Sequence, residues 1–249
     1  MKRIVQIFLH LTLLAGLTAC GTIPADSAQT PIPEVLYLQV TPAVEHWLPR
    51  VAACAEEIPH FGVHTQVLTR AELSLNESDL ILRLGERLAS DPFVSIMGFE
   101  NIAIVAGKDV PVPSLSLASL QDIYAGTKVF WGDVPEAADD PSAHSQSIQP
   151  MAYPEGHEIE ALFRHAFLAE EPIAADPQVY SSVDFLENLL EEHPYALGFL
   201  LNSQVPAGIK TLDITDQDPQ STGGFVLAIT SAPPEGQLKQ LLLCLQNSQ

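Results

Sequence analysis

Cations are scarce in this sequence. Its 11 lysines and arginines stand against 31 aspartates and glutamates, a formal net charge of −20 at pH 7. A surface this acidic repels nucleic acid and anionic lipid headgroups, so neither is an expected partner. Long apolar runs are missing as well: the one near the start, Ile4 to Leu17, is too short for a comfortable membrane span. Enzyme signatures are equally thin. There is no G-x-S-x-G elbow, "HEIEA" lacks the second histidine of H-E-x-x-H, and no glycine-rich phosphate-cradling loop is visible. His60 and His64 share a face of one candidate strand but are too far apart to chelate as a pair. His144, His157, His165 and His193 show no ligand spacing. No metal, no cofactor and no catalytic activity is expected.

What is present begins at the N-terminus. Lys2 and Arg3 precede the apolar run, and Leu17-Thr18-Ala19-Cys20 places small residues before a cysteine. That layout fits a secretory signal over residues 1–19, and the tetrapeptide resembles a bacterial lipobox, which implies cleavage before Cys20 and lipid on its sulfur. Residues 20–33 then hold the lipidated cysteine and a stretch rich in Pro, Ser, Thr and Ala ("GTIPADSAQTPIP"), a flexible tether with a reach of about 45 Å. Loss of residues 1–19 leaves 9 cations against the same 31 carboxylates, a net of −22. The expected location is extracytoplasmic, with the anchor doing the membrane attachment. Cysteine is rare, with 3 in all, so a lipidated Cys20 leaves Cys54 and Cys244 as an even pair in an oxidising compartment. They either bridge the first and last helices or remain two buried thiols.

Strands and helices alternate in the remainder. "EVLYLQV" reads as a strand, and Thr41-Pro42 opens a helix to about Glu57 with a kink or restart at Pro49. "FGVHTQVL", "SDLILRLG", "FVSIMG" and "ENIAIVAG" read as four further strands. In "LQDIYAGTKVFWGDV", Leu120, Ile123 and Tyr124 share a helical face, Gly126 ends the helix, and Trp131 sits in a short extended segment. "IQPMAYP" is a strand, "EGHEIEALFRHAFL" an amphipathic helix, and Ser182 caps another through Glu192. "YALGFLL", "GIKTLDI" and "GGFVLAIT" are strands before a last helix from about Glu235. The pattern is that of an α/β fold.

Four of these stretches, in this order, carry a resemblance. "ENIAIVAGKDVPVPSLSLASLQDIYAGTKVFWGDV" resembles the middle of the phosphate-type solute-binding proteins of ABC transporters. "IQPMAYPEGHEIEALFRHAFL", "HPYALGFLLNSQV" and "GGFVLAITSAPPEGQLKQLLLCLQNS" are similar to that family's later strand–turn–helix, its glycine-containing strand and its closing strand and helix. The resemblance implies a two-lobed, type II periplasmic-binding-protein-like fold, each lobe a mixed sheet flanked by helices with a ligand cleft between. Lobe 1 would be 34–107 plus 218–249, and lobe 2 would be 108–217. Trp131 would be a core landmark of lobe 2.

It further implies a small solute, by default phosphate or a similar oxyanion, and a membrane permease as partner. Helix N-termini and hydroxyls would hold the solute. On this basis Thr41, Asp79, Glu155, Gly156 and His157 are the candidate ligand residues, with Arg70, Arg83, Ser181 and Ser182 as further polar groups. At 155–158 the chain departs from the family's Ser-Gly-Thr-like turn: Gly156 is kept, both hydroxyls are missing, and Glu155 and Glu158 bring negative charge. That departure favours an alternative, a binding-protein-like surface lipoprotein with a sensing or structural role and no transport.

Overall fold

In Glu34–Val40 (β1), Leu36, Leu38 and Val40 are buried while Val35 and Tyr37 are exposed, a period-two pattern that gives way at Gln39, which is buried as well. The structure, a computed structural model, describes residues 33–218 and 221–247. The signal segment and Cys20 lie outside the described residues. Pro33–Gln249 forms one compact unit.

After β1 comes a 3₁₀ turn, Pro42–Trp47, and then helix α1, Leu48–Glu56. The restart falls at Pro49, which is tolerated in a first helical turn because its missing N–H has no intrahelical acceptor there. β2 (Phe61–Val67) and β3 (Leu80–Leu84) pair parallel to β1 on either side. β4 runs 14 residues, Phe93–Ala106, where two separate strands were expected. The reason is a change of partner. Residues 93–101 pair with β10 (Gly223–Thr230), and Ile102 to Ala106 pair with β8 (Ala196–Leu201), so the ladder continues past Gly98. Neither run shows this handover locally.

The later half adds β5 (Ser114–Ser116), α2 (Leu117–Tyr124), β6 (Gln149–Ala152), α3 (Glu158–Phe167), β7 (Gln178–Val179) and α4 (Val183–Glu192). β9 (Lys210–Thr215) and α5 (Gly236–Asn247) complete it. The sheet order is β2-β1-β3-β10-β4-β8-β6-β7, and β9 pairs with both β4 and β5. Parallel and antiparallel pairs are mixed, and β10 runs antiparallel to β3 and β4. Trp131 lies in a 3₁₀ turn, Trp131–Asp133, and not in an extended segment. Its Nε1–H donates to the Tyr195 carbonyl at 3.0 Å, and the indole is fully buried. α1 and α5 are joined by a Cys54–Cys244 disulfide with Cα atoms 5.8 Å apart. Among the described residues no helix is long and apolar enough to cross a membrane.

An aromatic cluster sets the position of α3. Phe163 stacks on Phe199 at 3.9 Å between centroids, and Tyr124 meets Phe163 edge-on at 4.7 Å. Tyr180 donates its hydroxyl to the Phe199 carbonyl. Tyr153, just before the α3 turn, stacks on His157 at 4.3 Å. The Tyr153–His157 stack thus spans the turn that leads into α3.

Candidate functional site

Three segments distant in sequence meet at the start of α3. Thr41 follows β1, Leu84 ends β3, and Glu158 is the first residue of α3. Parallel pairing of β1 with β3 brings Thr41 and Leu84 to the same edge of the sheet, since Val40 lies opposite Leu82. Thr41 is fully buried. Its backbone N–H donates to the Leu82 carbonyl at 3.1 Å, and its side chain makes no cap to the turn that follows. Instead the Thr41 hydroxyl donates to Glu158 Oε2, which also accepts the Leu84 N–H at 3.2 Å. Glu158 is 7 % exposed, and its Oε1 has no hydrogen-bond partner among the described residues.

The electrostatics follow from burial. Removal from water pushes the Glu158 carboxyl above the usual carboxylate range. The Thr41 and Leu84 donors and the Arg70 and Arg83 guanidiniums pull the other way without cancelling that push. Arg83 is itself 2 % exposed. Its Nη2 donates to Asp91 Oδ2 at 2.6 Å, and its Nη1 is buried without a partner among the described residues. Beside Gly85, Nη1 of Arg70 and Nη1 of Arg83 lie 3.8 and 3.9 Å from where a side chain's first carbon would stand. Two cations thus flank the end of β3.

His157 is the N-cap of α3. Its Nδ1 accepts the Ile159 N–H at 3.2 Å, and burial pushes its pKa down to about 4, so the ring is neutral at pH 7. Glu155 and Gly156 form the exposed tip of the turn. Gly156 takes φ +84°, the left-handed region glycine adopts without strain. A cavity of about 300 Å³ brings Thr41, Arg70, Glu155, Gly156, His157 and Glu158 together. A second, of about 410 Å³, lies against Arg70, Gly85, Glu158, His165 and Gly224. Glu158 and Arg70 stand between the two.

Asp79 stands apart from this group. Its carboxylate accepts the Tyr37 N–H at 2.9 Å and its own N–H donates to the Tyr37 carbonyl, at the opening end of β3. Four residues of strand, about 13 Å, separate it from Arg83. Ser182 caps α4 through Phe185 N–H at 3.3 Å, and with Ser181 lines a third cavity that also touches His157. Glu158 was seen in sequence as negative charge on a turn. The missed signal is its place as first helical residue, directed at the ends of β1 and β3.

No family model and no curated protein matches the chain. Solved structures do. One is a protein from Clostridium perfringens assigned as a phosphate ABC transporter substrate-binding protein, with bound phosphate: 15 % identity, TM-score 0.69, 85 % of this chain and 93 % of that one covered. An ABC-type phosphate transport receptor from Vibrio cholerae matches at 16 % identity and TM-score 0.65, over 86 % and 93 % of the two chains. The reduced regulatory domain of OxyR2 from Vibrio vulnificus matches at 12 % and 0.58, over 87 % and 96 %. The chain therefore has the type II periplasmic-binding-protein-like fold, a scaffold that carries more than one role.

Proposed function

We propose that the chain is a lipid-anchored, extracytoplasmic solute-binding protein of an ABC importer, taking a small solute in a cleft between two lobes. Lobe 1 spans about 34–107 with about 218–249, and lobe 2 about 108–217. The chain passes between them along β4 and again before β10. The observation that carries this reading is the convergence of Thr41, Leu84 and the start of α3, from segments up to 117 residues apart, on one buried polar point flanked by cavities. Fold relatives named for phosphate transport add to it. The mechanism is non-covalent: the solute is held by backbone N–H groups and side chains at the cleft, the lobes close, and the closed form docks on the permease. The lipobox supplies the anchor through Cys20, and no step calls for catalysis.

A second reading, a surface lipoprotein of this fold with a sensing or structural role and no transport, is favoured by one observation. Glu158 puts the chain's own negative charge where the family's default oxyanion would dock. A thermal-shift panel on the chain from Gly21 onward, which holds the whole compact unit, separates the two. The panel holds phosphate, sulfate, molybdate, tungstate, small carboxylates and amino acids. A solute at 100 times its Kd adds about 2.7 kcal/mol, a rise of roughly 2–4 °C. One saturable shift is the expected result. A flat panel overturns the importer reading.

A further inference from the structure

We infer that Glu158 is a built-in occupant of the anion seat: its carboxylate, tethered to the chain, fills the place a free oxyanion would take, and so closes the wild-type protein to phosphate. The inference rests on the cleft being the solute site and names what that site refuses.

The donors around Glu158 are those an oxyanion requires. A buried hydroxyl from Thr41 and a backbone N–H from Leu84 meet on one oxygen, at the N-terminal end of a 10-residue helix. The Arg70 and Arg83 guanidiniums pull this carboxyl toward its charged form, against the larger push of burial. The Arg83 Nη1, buried and without a partner among the described residues, is held toward the same strand end beside Gly85. Donors of this kind are costly to bury unmet, and here a carboxylate meets two of them. An ordinary helix start gives another picture. Its first-turn carboxylate is exposed and interacts with its own helix, whereas Glu158 is 7 % exposed and spends its bonded oxygen on residues 117 and 74 positions away. The helix does not need it as a cap either, because His157 supplies that acceptor. A free oxyanion entering this place would meet a carboxyl group already hydrogen-bonded to its donors.

The test compares wild type, Glu158→Ala and Glu158→Gln, each titrated with phosphate and acetate by thermal shift and equilibrium dialysis. The alanine variant removes about one acetate's worth of side chain. It is expected to melt below wild type, to regain stability with acetate or phosphate, and to bind phosphate about 100-fold or more tighter than wild type does. Wild type and Glu158→Gln, in which an amide of the same shape fills the seat, are expected to show no saturable response. Saturable phosphate binding by wild type overturns the inference while leaving the solute-binding reading intact. An alanine variant that responds no better than Gln also overturns it. If the alanine variant does not fold even with anion present, Glu158→Gln decides by dialysis: exclusion of phosphate upholds occupancy, and binding overturns it. A wild type silent to every member of the solute panel, beside an alanine variant that answers acetate, would sink the importer reading and keep this one.

Discussion

The Thr41 hydroxyl donates to the Glu158 carboxylate, a buried bond between residues 117 positions apart. It ties the end of β1 to the start of α3, two segments that line one cavity. Thr41→Val keeps the shape and removes the donor, leaving Oε2 with the Leu84 N–H alone. A hydrogen bond to a buried carboxyl contributes about 0.5–3 kcal/mol, most where the carboxyl is ionised. Urea denaturation of Thr41→Val should show a loss of that size, and Thr41→Ser should retain most of it. Equal losses in both variants would mean that the threonine methyl matters and the hydroxyl does not.

Acid should weaken the fold through His157. Its pKa is about 4 in the folded chain against 6.5 ordinarily, because burial disfavours the charged ring. Above about pH 6.5 the ring is neutral in both states and its contribution is complete. As pH falls toward 4 the unfolded chain binds a proton that the folded chain refuses, at a total cost of about 3 kcal/mol. Glu158 runs the other way. Its carboxyl is raised above 4.5 by burial, so its contribution is present below that value and is lost as pH rises through the folded pKa. His157→Asn keeps an N-cap acceptor and cannot charge. Denaturation midpoints taken between about pH 7 and about pH 5 should fall less steeply in that variant than in wild type. Parallel slopes would show that the imidazole is not what titrates.

Much of this site was legible only in outline, for physical reasons. Thr41-Pro42 announces a strand–helix junction because proline and a hydroxyl residue have local meaning there. The amphipathic face of "EGHEIEALFRHAFL" announces α3 in the same way. The distance of Asp79 from Arg83 and Glu158 is not legible locally, because it depends on the direction of the parallel β1–β3 pairing. Glu158 reads as surface charge until the strand ends arrive from 74 and 117 residues away to bury it. The single β4 was hidden for the same reason, since its exchange of β10 for β8 is a property of its neighbours.

The Cys54–Cys244 bond closes a loop of 190 residues between α1 and α5. On the chain-entropy account such a loop restrains the unfolded chain by about 4–5 kcal/mol. The double variant Cys54→Ser, Cys244→Ser should therefore lose several kcal/mol in urea. Reduced wild type should lose nearly as much, because both thiols are then released. A double variant within about 1 kcal/mol of wild type would mean that the unfolded chain gains little freedom from the cut.

Trp131 should matter for stability and not for solute. Its indole is fully buried, its N–H meets the Tyr195 carbonyl at 3.0 Å, and it lines none of the cavities around Glu158. Its neighbour is equally confined, since a side chain on Gly132 would come within 2.5 Å of the His144 Cα. Trp131→Phe loses the hydrogen bond and part of the ring, leaving the Tyr195 carbonyl to find another donor. Trp131→Ala loses the packing as well, a change that costs about 3–5 kcal/mol in a well-filled core. Both variants should lower the denaturation midpoint, alanine more than phenylalanine, and neither should alter the affinity for whichever panel solute shifts wild type. A Trp131→Phe protein of near-normal stability with weakened solute binding would move this indole from the core to the site.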